Sequence, residues 1–316
     1  MRVQTDGEHV SLPDFLIVGA ARSGTTSLYY LLRQHPRIFM PDLKEPFYLT
    51  FAGEIPDFTE LHFLRDHRWT LEDYAELFSG ATGDQLLGEA STSYLYMHRE
   101  TIPNIERIYG QKADEIKYLA VLRNPVDRTY SNYLLLRSAG WDELSFDEYL
   151  DTSFTRDRMK RRWDYDYIGL GRYAEGISAY KQRFPHVFVT LYEDLADQRR
   201  LLDGIFDFLE LERIELQGDR LQANASGAPR SRLALSLFDT AGRLASPIRT
   251  ILPYSARVRL AKLRESARRR LLRQPGMSAE QRGRLRSIFR DDILRLQEII
   301  DRDLSSWLEE PDSSAA

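Results

Sequence analysis

One segment near the N-terminus constrains the fold most: an apolar run that ends at a glycine and leads through a short loop into a helical pattern. Residues 15–28 read FLIVGAARSGTTSL, and Leu28, Leu31 and Leu32 have the spacing of one helix face. A strand, a tight loop and a helix in this order bring backbone N–H groups and the positive end of the helix dipole to one point. The segment therefore predicts an anion-binding cradle.

This cradle differs from the ATP-type phosphate loop in the place of its cation. Gly19 and Gly24 have the spacing of that motif, but Thr25 stands where the motif has lysine. The cation lies inside the loop instead, at Arg22. We expect the cradle to hold a phosphate-like group without the lysine of the ATP-type loop.

A second segment indicates another anion site. Residues 117–122 read KYLAVL, a buried strand, and Arg123-Asn124-Pro125 ends it. A magnesium-dependent P-loop enzyme would carry an aspartate near such a strand end to hold the metal. Here Arg123 stands there, and Ser131 follows on the helix that begins near Pro125. An arginine and a serine suit a second phosphate better than a metal.

Together the two segments resemble the sulfotransferases that use 3′-phosphoadenosine 5′-phosphosulfate (PAPS). The matching stretches read GAARSGTT at 19–26 and LRNPVDRTYSNY at 122–133. In that family the first loop holds the 5′-phosphosulfate, while the arginine and the serine of the second segment hold the 3′-phosphate. The resemblance thus implies donor contacts from Ala21, Arg22, Ser23, Gly24, Thr25, Thr26, Ser27, Arg123 and Ser131. A later basic loop that closes over the nucleotide is implied at Ser226, Gly227, Arg230 and Arg232.

The resemblance extends to the catalytic groups. Lys44-Glu45-Pro46-Phe47-Tyr48 looks like the segment that carries the catalytic carboxylate in the heparan-sulfate-like branch of the family. It implies that Glu45 is the general base, that Lys44 helps to neutralise the sulfuryl oxygens, and that Arg22 stabilises charge on the leaving phosphate, with PAP as the product and no metal. The family often has lysine in place of Arg22. Arginine stays charged at working pH, so Arg22 is not expected to donate a proton.

The same register places Glu89, Ser91 and Tyr94 on the acceptor side. We expect Trp163, from the aromatic and basic insertion at 138–172, and Tyr173, from the matching stretch Gly171-Arg172-Tyr173, to lie there as well. The heparan-sulfate-like branch favours a carbohydrate or glycoconjugate, modified at a hydroxyl rather than an amine. In this branch the segment at Glu89 often reads Glu-Lys-Ser, whereas Ala90 replaces the lysine here.

Apolar runs at 15–18, 86–89, 117–122 and 187–191 alternate with helical patterns, which predicts βαβ units. The expected fold is α/β: a mainly parallel sheet flanked by helices, a P-loop NTPase-like three-layer sandwich with a helical C-terminal region. We expect a polar tail at 1–13, the α/β domain at 14–240 with an acceptor-side insertion at 138–172, and a helical extension at 241–316. The basic stretch 249–273 is most simply a solvated helix face, with peripheral contact to an acidic membrane as the lesser alternative.

The composition argues against several kinds of site and of binding partner. The 316 residues include no cysteine, which excludes disulfides and thiolate chemistry, and the six histidines show no metal-ligand spacing. A net charge of −4 does not favour a nucleic-acid binder. No run has transmembrane length and the first residues lack a signal-peptide core, so we expect a soluble, bacterial-type enzyme in the cytoplasm, acting on a small-molecule or glycan acceptor.

Two alternatives stay open at this point. A P-loop kinase or other nucleotide phosphotransferase is disfavoured by Thr25 after Gly24 and by Arg123 at the strand end. A non-catalytic nucleotide-binding protein on the same fold is kept open by Ala90.

Overall fold

Five parallel strands form the main sheet of the chain, in the order β4-β5-β3-β6-β7. The strands in chain order are β1 Arg2–Thr5, β2 Glu8–Ser11, β3 Phe15–Gly19, β4 Ile38–Phe39, β5 Leu86–Ala90, β6 Lys117–Leu122, β7 Val187–Leu191, β8 Ala228–Pro229 and β9 Leu272–Arg273. The computed structural model describes residues 1–5, 8–60, 68–139, 141, 144–151, 159–215, 228–229, 272–273 and 276–310. The predicted strands at β3, β5, β6 and β7 are thereby confirmed, as is the α/β class.

Helices connect and cover these strands. The α-helices are α1 Thr25–Leu32, α2 Tyr48–Phe51, α3 Leu71–Glu76, α4 Ser93–Tyr96, α5 His98–Tyr109, α6 Pro125–Ser138, α7 Phe146–Leu150, α8 Ala174–Arg183, α9 Gln198–Leu209 and α10 Ala279–Ile300. Short 3-10 turns lie at Gly110–Glu115, Trp163–Tyr165, Gly169–Gly171, Tyr192–Ala196 and Ser305–Trp307. Among the described residues, no helix is long and apolar enough to cross a membrane.

Both faces of the sheet are covered, which explains why its strands read as unbroken apolar runs. On one face, Ile17 of β3 packs in a cluster with Leu28 of α1 and Ile205 of α9. On the other face, the ring of Tyr118 on β6 lies 5.3 Å from that of Tyr180 on α8. Since parallel strands all end at one edge, the loops after β3, β5 and β6 meet there and form the site.

The chain divides into two compact units. The first comprises Met1–Thr129, Asp151–Ala223 and Gly283–Ala316, and contains the five-stranded sheet. The second comprises Tyr130–Leu150 and Asn224–Arg282, and contains α7 and the antiparallel pair β8–β9. Within it, Gln281 Nε2 donates to Asp147 Oδ1 at 2.8 Å. Most of the basic stretch 249–273 lies outside the described residues.

The first residues and the C-terminal region make contacts that the sequence did not predict. The first residues pair as an antiparallel hairpin, β1 with β2, where the sequence suggested a polar tail. In the C-terminal region, α10 buries one apolar face, and the residues after it are fastened to the turn Tyr192–Ala196 that follows β7. Arg302 Nη1 donates to Asp194 Oδ2 at 2.7 Å, and Trp307 Nε1 donates to Glu193 Oε1 at 3.1 Å.

We predict that Gly88→Ala destabilises the protein, because there is no room for a side chain at this point of β5. A Cβ at Gly88 would lie 2.1 Å from Phe15 Cζ and 2.3 Å from Met40 Sδ. Overpacking of this kind costs roughly 1–3 kcal/mol in the free energy of unfolding, measured by urea denaturation. Gly83→Ala is the control, since nothing lies within 4 Å of its Cβ position. Equal stabilities of the two variants would contradict the prediction.

Candidate active site

The predicted cradle forms between β3 and α1. Gly24 caps α1 in a left-handed conformation (φ 93°), and a Cβ there would lie 2.6 Å from Leu195 Cδ1. Glycine meets both the conformational and the steric requirement at this position. Arg22, a non-glycine residue, also has a positive φ of 67°, an arrangement that costs energy and is found most often at functional sites. The cradle therefore has the backbone of a built anion site.

Arg123, at the end of β6, holds the cradle from the neighbouring strand. Its Nη1 donates to the carbonyl oxygen of Arg22 at 3.3 Å, and its guanidinium carbon lies 4.5 Å from the ring centre of Tyr192. The carbonyl oxygen of Arg123 accepts a hydrogen bond from the hydroxyl of buried Tyr173 at 3.0 Å. The structure thus brings Arg22, Arg123 and Tyr173 together, as the sequence suggested for the two arginines.

Positive charge accumulates at this point. Burial, and after it the charges of Arg123 and Arg128, lower the pKa of Arg22 to about 10, while Glu45 and Tyr192 act in the opposite direction. Arg22 nevertheless remains protonated near neutral pH. Arg128 is fully buried and donates to the carbonyl oxygen of Tyr167. Like charges this close suit a polyanionic ligand, whose binding would neutralise them.

Lys44 and Glu45 lie in a turn beside β5. They form an ion pair with each other, and their side chains are 16% and 32% exposed. Glu45 has a left-handed φ of 62°, and its N–H donates to the carbonyl oxygen of Ala90 at 3.0 Å. Because Glu45 contributes to the electrostatics of Arg22, the carboxylate and the cradle belong to one site. An accessible carboxylate next to a cationic cradle has the chemistry of a general base.

Glu89 lies behind this turn, buried at 1% exposure. It accepts hydrogen bonds from Ser91 Oγ at 2.6 Å and from the hydroxyl of Tyr74 at 3.2 Å. Burial raises the pKa of Glu89 to about 7, against the opposing effects of its bonds to Ser91, Tyr94 and Tyr74 and of the nearby Lys44. Ser91 and Tyr94 are buried as well.

Trp163 lies in an aromatic cluster next to the cradle. It packs with Phe47 (ring centres 6.1 Å apart) and Tyr96 (6.2 Å), and Ala21 of the cradle packs against the same cluster. Among the described residues, the buried Trp163 Nε1 finds no hydrogen-bond acceptor. The cluster therefore links the segment around Trp163 to both the cradle and the Glu45 turn.

Not all of the expected site residues can be placed in this way. Ser131 lies on α6 in the second unit. Ser226, Gly227, Arg230 and Arg232 lie outside the described residues. Within the described part of the chain, no group of three or more histidine or acidic side chains is arranged to hold a metal.

Sequence reasoning missed three contributors. Arg128 stands inside the second motif, five residues after Arg123, so its spacing was a usable signal. Tyr192 directly follows the predicted strand at 187–191, and only the folded structure reveals its contact with Arg123. Tyr74 lies in a stretch without any motif, and only the folded structure reveals its bond to Glu89.

The fold and the site define a class: a parallel α/β protein with a cationic loop at the carboxyl edge of its sheet. The family model of the sulfotransferase domain matches residues 12–227, and the chain belongs to this family of transferase enzymes. A crystal structure of a sulfotransferase from Alicyclobacillus acidocaldarius superposes with a TM-score of 0.71 and 27% identity, covering 95% of this chain and 100% of that one.

Curated relatives are similar over shorter stretches. Heparan sulfate glucosamine 3-O-sulfotransferase 3B1 of Homo sapiens is 26% identical over 206 residues, which cover 64% of this chain and 47% of the relative. Carbohydrate sulfotransferase 15 of Rattus norvegicus is 30% identical over 171 residues, covering 43% of this chain and 29% of the relative. The chain spans less than half the length of these relatives.

We predict that Glu89 makes the protein less stable as the pH rises from about 5 to about 7. In this interval the folded protein, in which burial raises the pKa of Glu89 to about 7, keeps a proton that the unfolded chain has lost. Each pH unit should therefore remove up to about 1.4 kcal/mol from the free energy of unfolding. Urea denaturation across this range measures the slope, and Glu89→Gln should flatten it. Parallel curves for wild type and variant would show that Glu89 does not titrate there.

Proposed function

We propose that the protein transfers a sulfuryl group from PAPS to a hydroxyl of an acceptor. The observation that carries this proposal is the meeting of Arg22, Arg123 and Glu45 at one edge of the sheet in a sulfotransferase-family chain. A cationic cradle beside a half-exposed carboxylate provides both requirements of the reaction: an anion site for the donor and a base for the acceptor.

The proposed donor fits the residues present. The cradle from Ala21 to Ser27 would receive the 5′-phosphosulfate, because Gly24 provides the left-handed turn into α1 and the N-terminus of α1 favours negative charge. Arg123 would hold the 3′-phosphate, for which the family resemblance also assigns Ser131. The proposed closing loop comprises Ser226, Gly227, Arg230 and Arg232.

Glu45 would act as the base. Its carboxylate takes the proton from the acceptor hydroxyl while the acceptor oxygen attacks sulfur in line. The new O–S bond forms as the bond between sulfur and the bridging phosphate oxygen breaks, and that electron pair stays with the departing nucleotide, PAP. Arg22, the loop N–H groups and Thr25 or Thr26 would stabilise the charge on the phosphate, and Lys44 the charge on the sulfuryl oxygens. The mechanism proposed here requires no metal.

A carbohydrate or glycoconjugate is the proposed acceptor, supported by similarity to the carbohydrate-modifying relatives. Trp163 and its aromatic neighbours lie beside both the cradle and the Glu45 turn, where an acceptor ring would have to rest. The cytoplasm is the proposed place of action, because the nucleotide donor is made there. A screen of p-nitrophenyl glycosides with PAPS, read by mass spectrometry for an added sulfonate, would identify the acceptor class.

We predict that the protein binds PAP much more tightly than AMP, and that Arg123→Ala removes most of this preference. A charge-assisted contact to the 3′-phosphate contributes roughly 1.5–3 kcal/mol, or about ten- to a hundredfold in affinity. Calorimetry gives both dissociation constants. Arg123 also supports the carbonyl of Arg22, but a distorted cradle would weaken both nucleotides alike, so the ratio is diagnostic. Arg199→Ala, at a position 81% exposed, is the control. Equal affinities in the wild type would overturn the donor assignment.

We predict that Glu45→Gln abolishes most sulfuryl transfer while PAP binding stays nearly unchanged. Glutamine keeps the shape of the side chain but cannot take the acceptor proton, and loss of a general base typically costs about 10²–10⁴ in rate. Release of PAP from PAPS with the glycoside panel measures the rate, and the exposed Glu115→Gln is the matched control.

The same assay, run with EDTA, separates the proposal from a magnesium-dependent phosphotransferase. Wild-type turnover that survives chelation agrees with the proposed chemistry. Turnover with ATP that stops in EDTA and returns with magnesium would favour the kinase alternative. Tight PAP binding without transfer to any acceptor would favour a nucleotide-binding protein.

A further inference from the structure

The turn that carries Glu45 has an unusual backbone for its composition. Glu45 and Phe47 are both non-glycine residues with left-handed conformations, at φ 62° and 57°. The left-handed conformation brings the Cβ of each residue too close to a backbone carbonyl oxygen. The surrounding structure therefore has to hold each residue in this conformation. The position of the Glu45 carboxylate therefore depends on whatever restrains this turn.

The restraints come from the end of β5 and the residue after it. The N–H of Glu45 donates to the carbonyl oxygen of Ala90 at 3.0 Å. The N–H of Phe47 donates to Ser91 Oγ at 3.2 Å, and Ser91 Oγ in turn donates to Glu89 Oε1 at 2.6 Å. Three consecutive residues, Glu89, Ala90 and Ser91, thus hold the turn on both sides of Pro46.

The ionised carboxylate determines the direction of this chain of hydrogen bonds. A serine hydroxyl can donate or accept, whereas an ionised carboxylate only accepts. Ser91 must therefore give its proton to Glu89, which leaves its oxygen free to accept from the N–H of Phe47. Tyr74 donates to the second carboxylate oxygen of Glu89 at 3.2 Å and fixes the carboxylate in place.

We propose that Glu89 and Ser91 are positioning residues that hold the Glu45 turn in its catalytic geometry, an inference that rests on the proposed role of Glu45 as the base. Both side chains are buried: Ser91 accepts from the backbone N–H of Phe47 in the turn, and Glu89 accepts from Ser91. Ser91 and Glu89 thus act on the reaction through the backbone of the Glu45 turn.

The proposal implies that the hydrogen bonds holding the Glu45 turn depend on pH. Protonated Glu89 carries a hydroxyl of its own, so Ser91 is no longer required to donate to it. The charged and titratable groups that face Glu89 are Lys44 from the turn, Tyr74 from α3, Tyr94 from α4, Tyr109 from α5 and Tyr180 from α8. Burial raises the pKa of all four tyrosines, so they stay neutral near pH 7, whereas burial raises the pKa of Glu89 to about 7.

The test compares two buried serines that lie two residues apart. Ser91→Ala should lower kcat for PAP release from PAPS with the glycoside panel by about ten- to a hundredfold, the usual cost of a small misplacement, with PAP affinity unchanged. Ser93→Ala removes an equally buried hydroxyl that contacts Thr50 Oγ1 at 2.9 Å, outside the Glu45 turn. It should keep kcat within about threefold. Equal losses in both variants would overturn the proposal.

Two readouts keep the test decisive if Ser91→Ala folds poorly or no acceptor is turned over. Hydrogen–deuterium exchange of the peptide over residues 43–49 should quicken in Ser91→Ala and stay unchanged in Ser93→Ala. Unchanged protection in both variants would overturn the proposed role of Ser91 in holding the Glu45 turn. In the wild type, kcat should fall as Glu89 becomes protonated below about pH 7. In Glu89→Gln, whose amide oxygen still accepts from Ser91, this loss of kcat at acid pH should disappear. An unaltered loss of kcat overturns the role of Glu89.

The outcomes separate this inference from the proposed function. If Glu45→Gln is inactive while Ser91→Ala turns over like the wild type, the positioning role is wrong and the function stands. If Glu45→Gln is fully active, the proposed base is wrong, and the positioning role fails with it.

Discussion

Electrostatic repulsion among arginines at the carboxyl edge of the sheet is the constraint on which the rest of the site depends. Arg22, Arg123 and Arg128 approach one another closely enough that the second and third depress the pKa of the first. The fold offsets this with carbonyl oxygens, since those of Arg22 and Tyr167 accept from Arg123 and Arg128. The carboxylate of Glu45 adds a stabilising charge. An anion that enters the cradle completes the compensation, so ligand binding and local stability are coupled.

Close packing surrounds this cationic cluster. The cluster would spread apart if its backbone were free to move, and the contacts around it oppose this. Gly24 lies against Leu195, Arg123 lies over Tyr192, and the hydroxyl of Tyr173 holds the carbonyl of Arg123. In the proposed reaction, pre-organised charge of this kind would stabilise the negative charge that develops on the leaving phosphate.

The sequence predicted those parts of the fold and site that are local in the chain. The loop between Gly19 and Gly24, the arginine that ends β6 and the strands β3 and β6 are each specified within a dozen residues, where spacing and composition suffice. The hydrogen bonds that connect Glu89 through Ser91 to Phe47, and the bond from Tyr74 to Glu89, join distant segments. Spacing in the sequence alone does not reveal them. The two-residue strand β4 and the hairpin of β1 and β2 carry too weak a pattern to be recognised.

The turn Tyr192–Ala196 has a consequence for how this enzyme can be handled. Its first residue supports Arg123 and its neighbour Leu195 closes on Gly24, while Glu193 and Asp194 are bonded to Trp307 and Arg302. The residues after α10 are therefore linked through a single turn to the loop that carries Arg22. We expect an affinity tag or a truncation placed close behind Ile300 to disturb the candidate site, although Ile300 and Arg22 are far apart in the sequence.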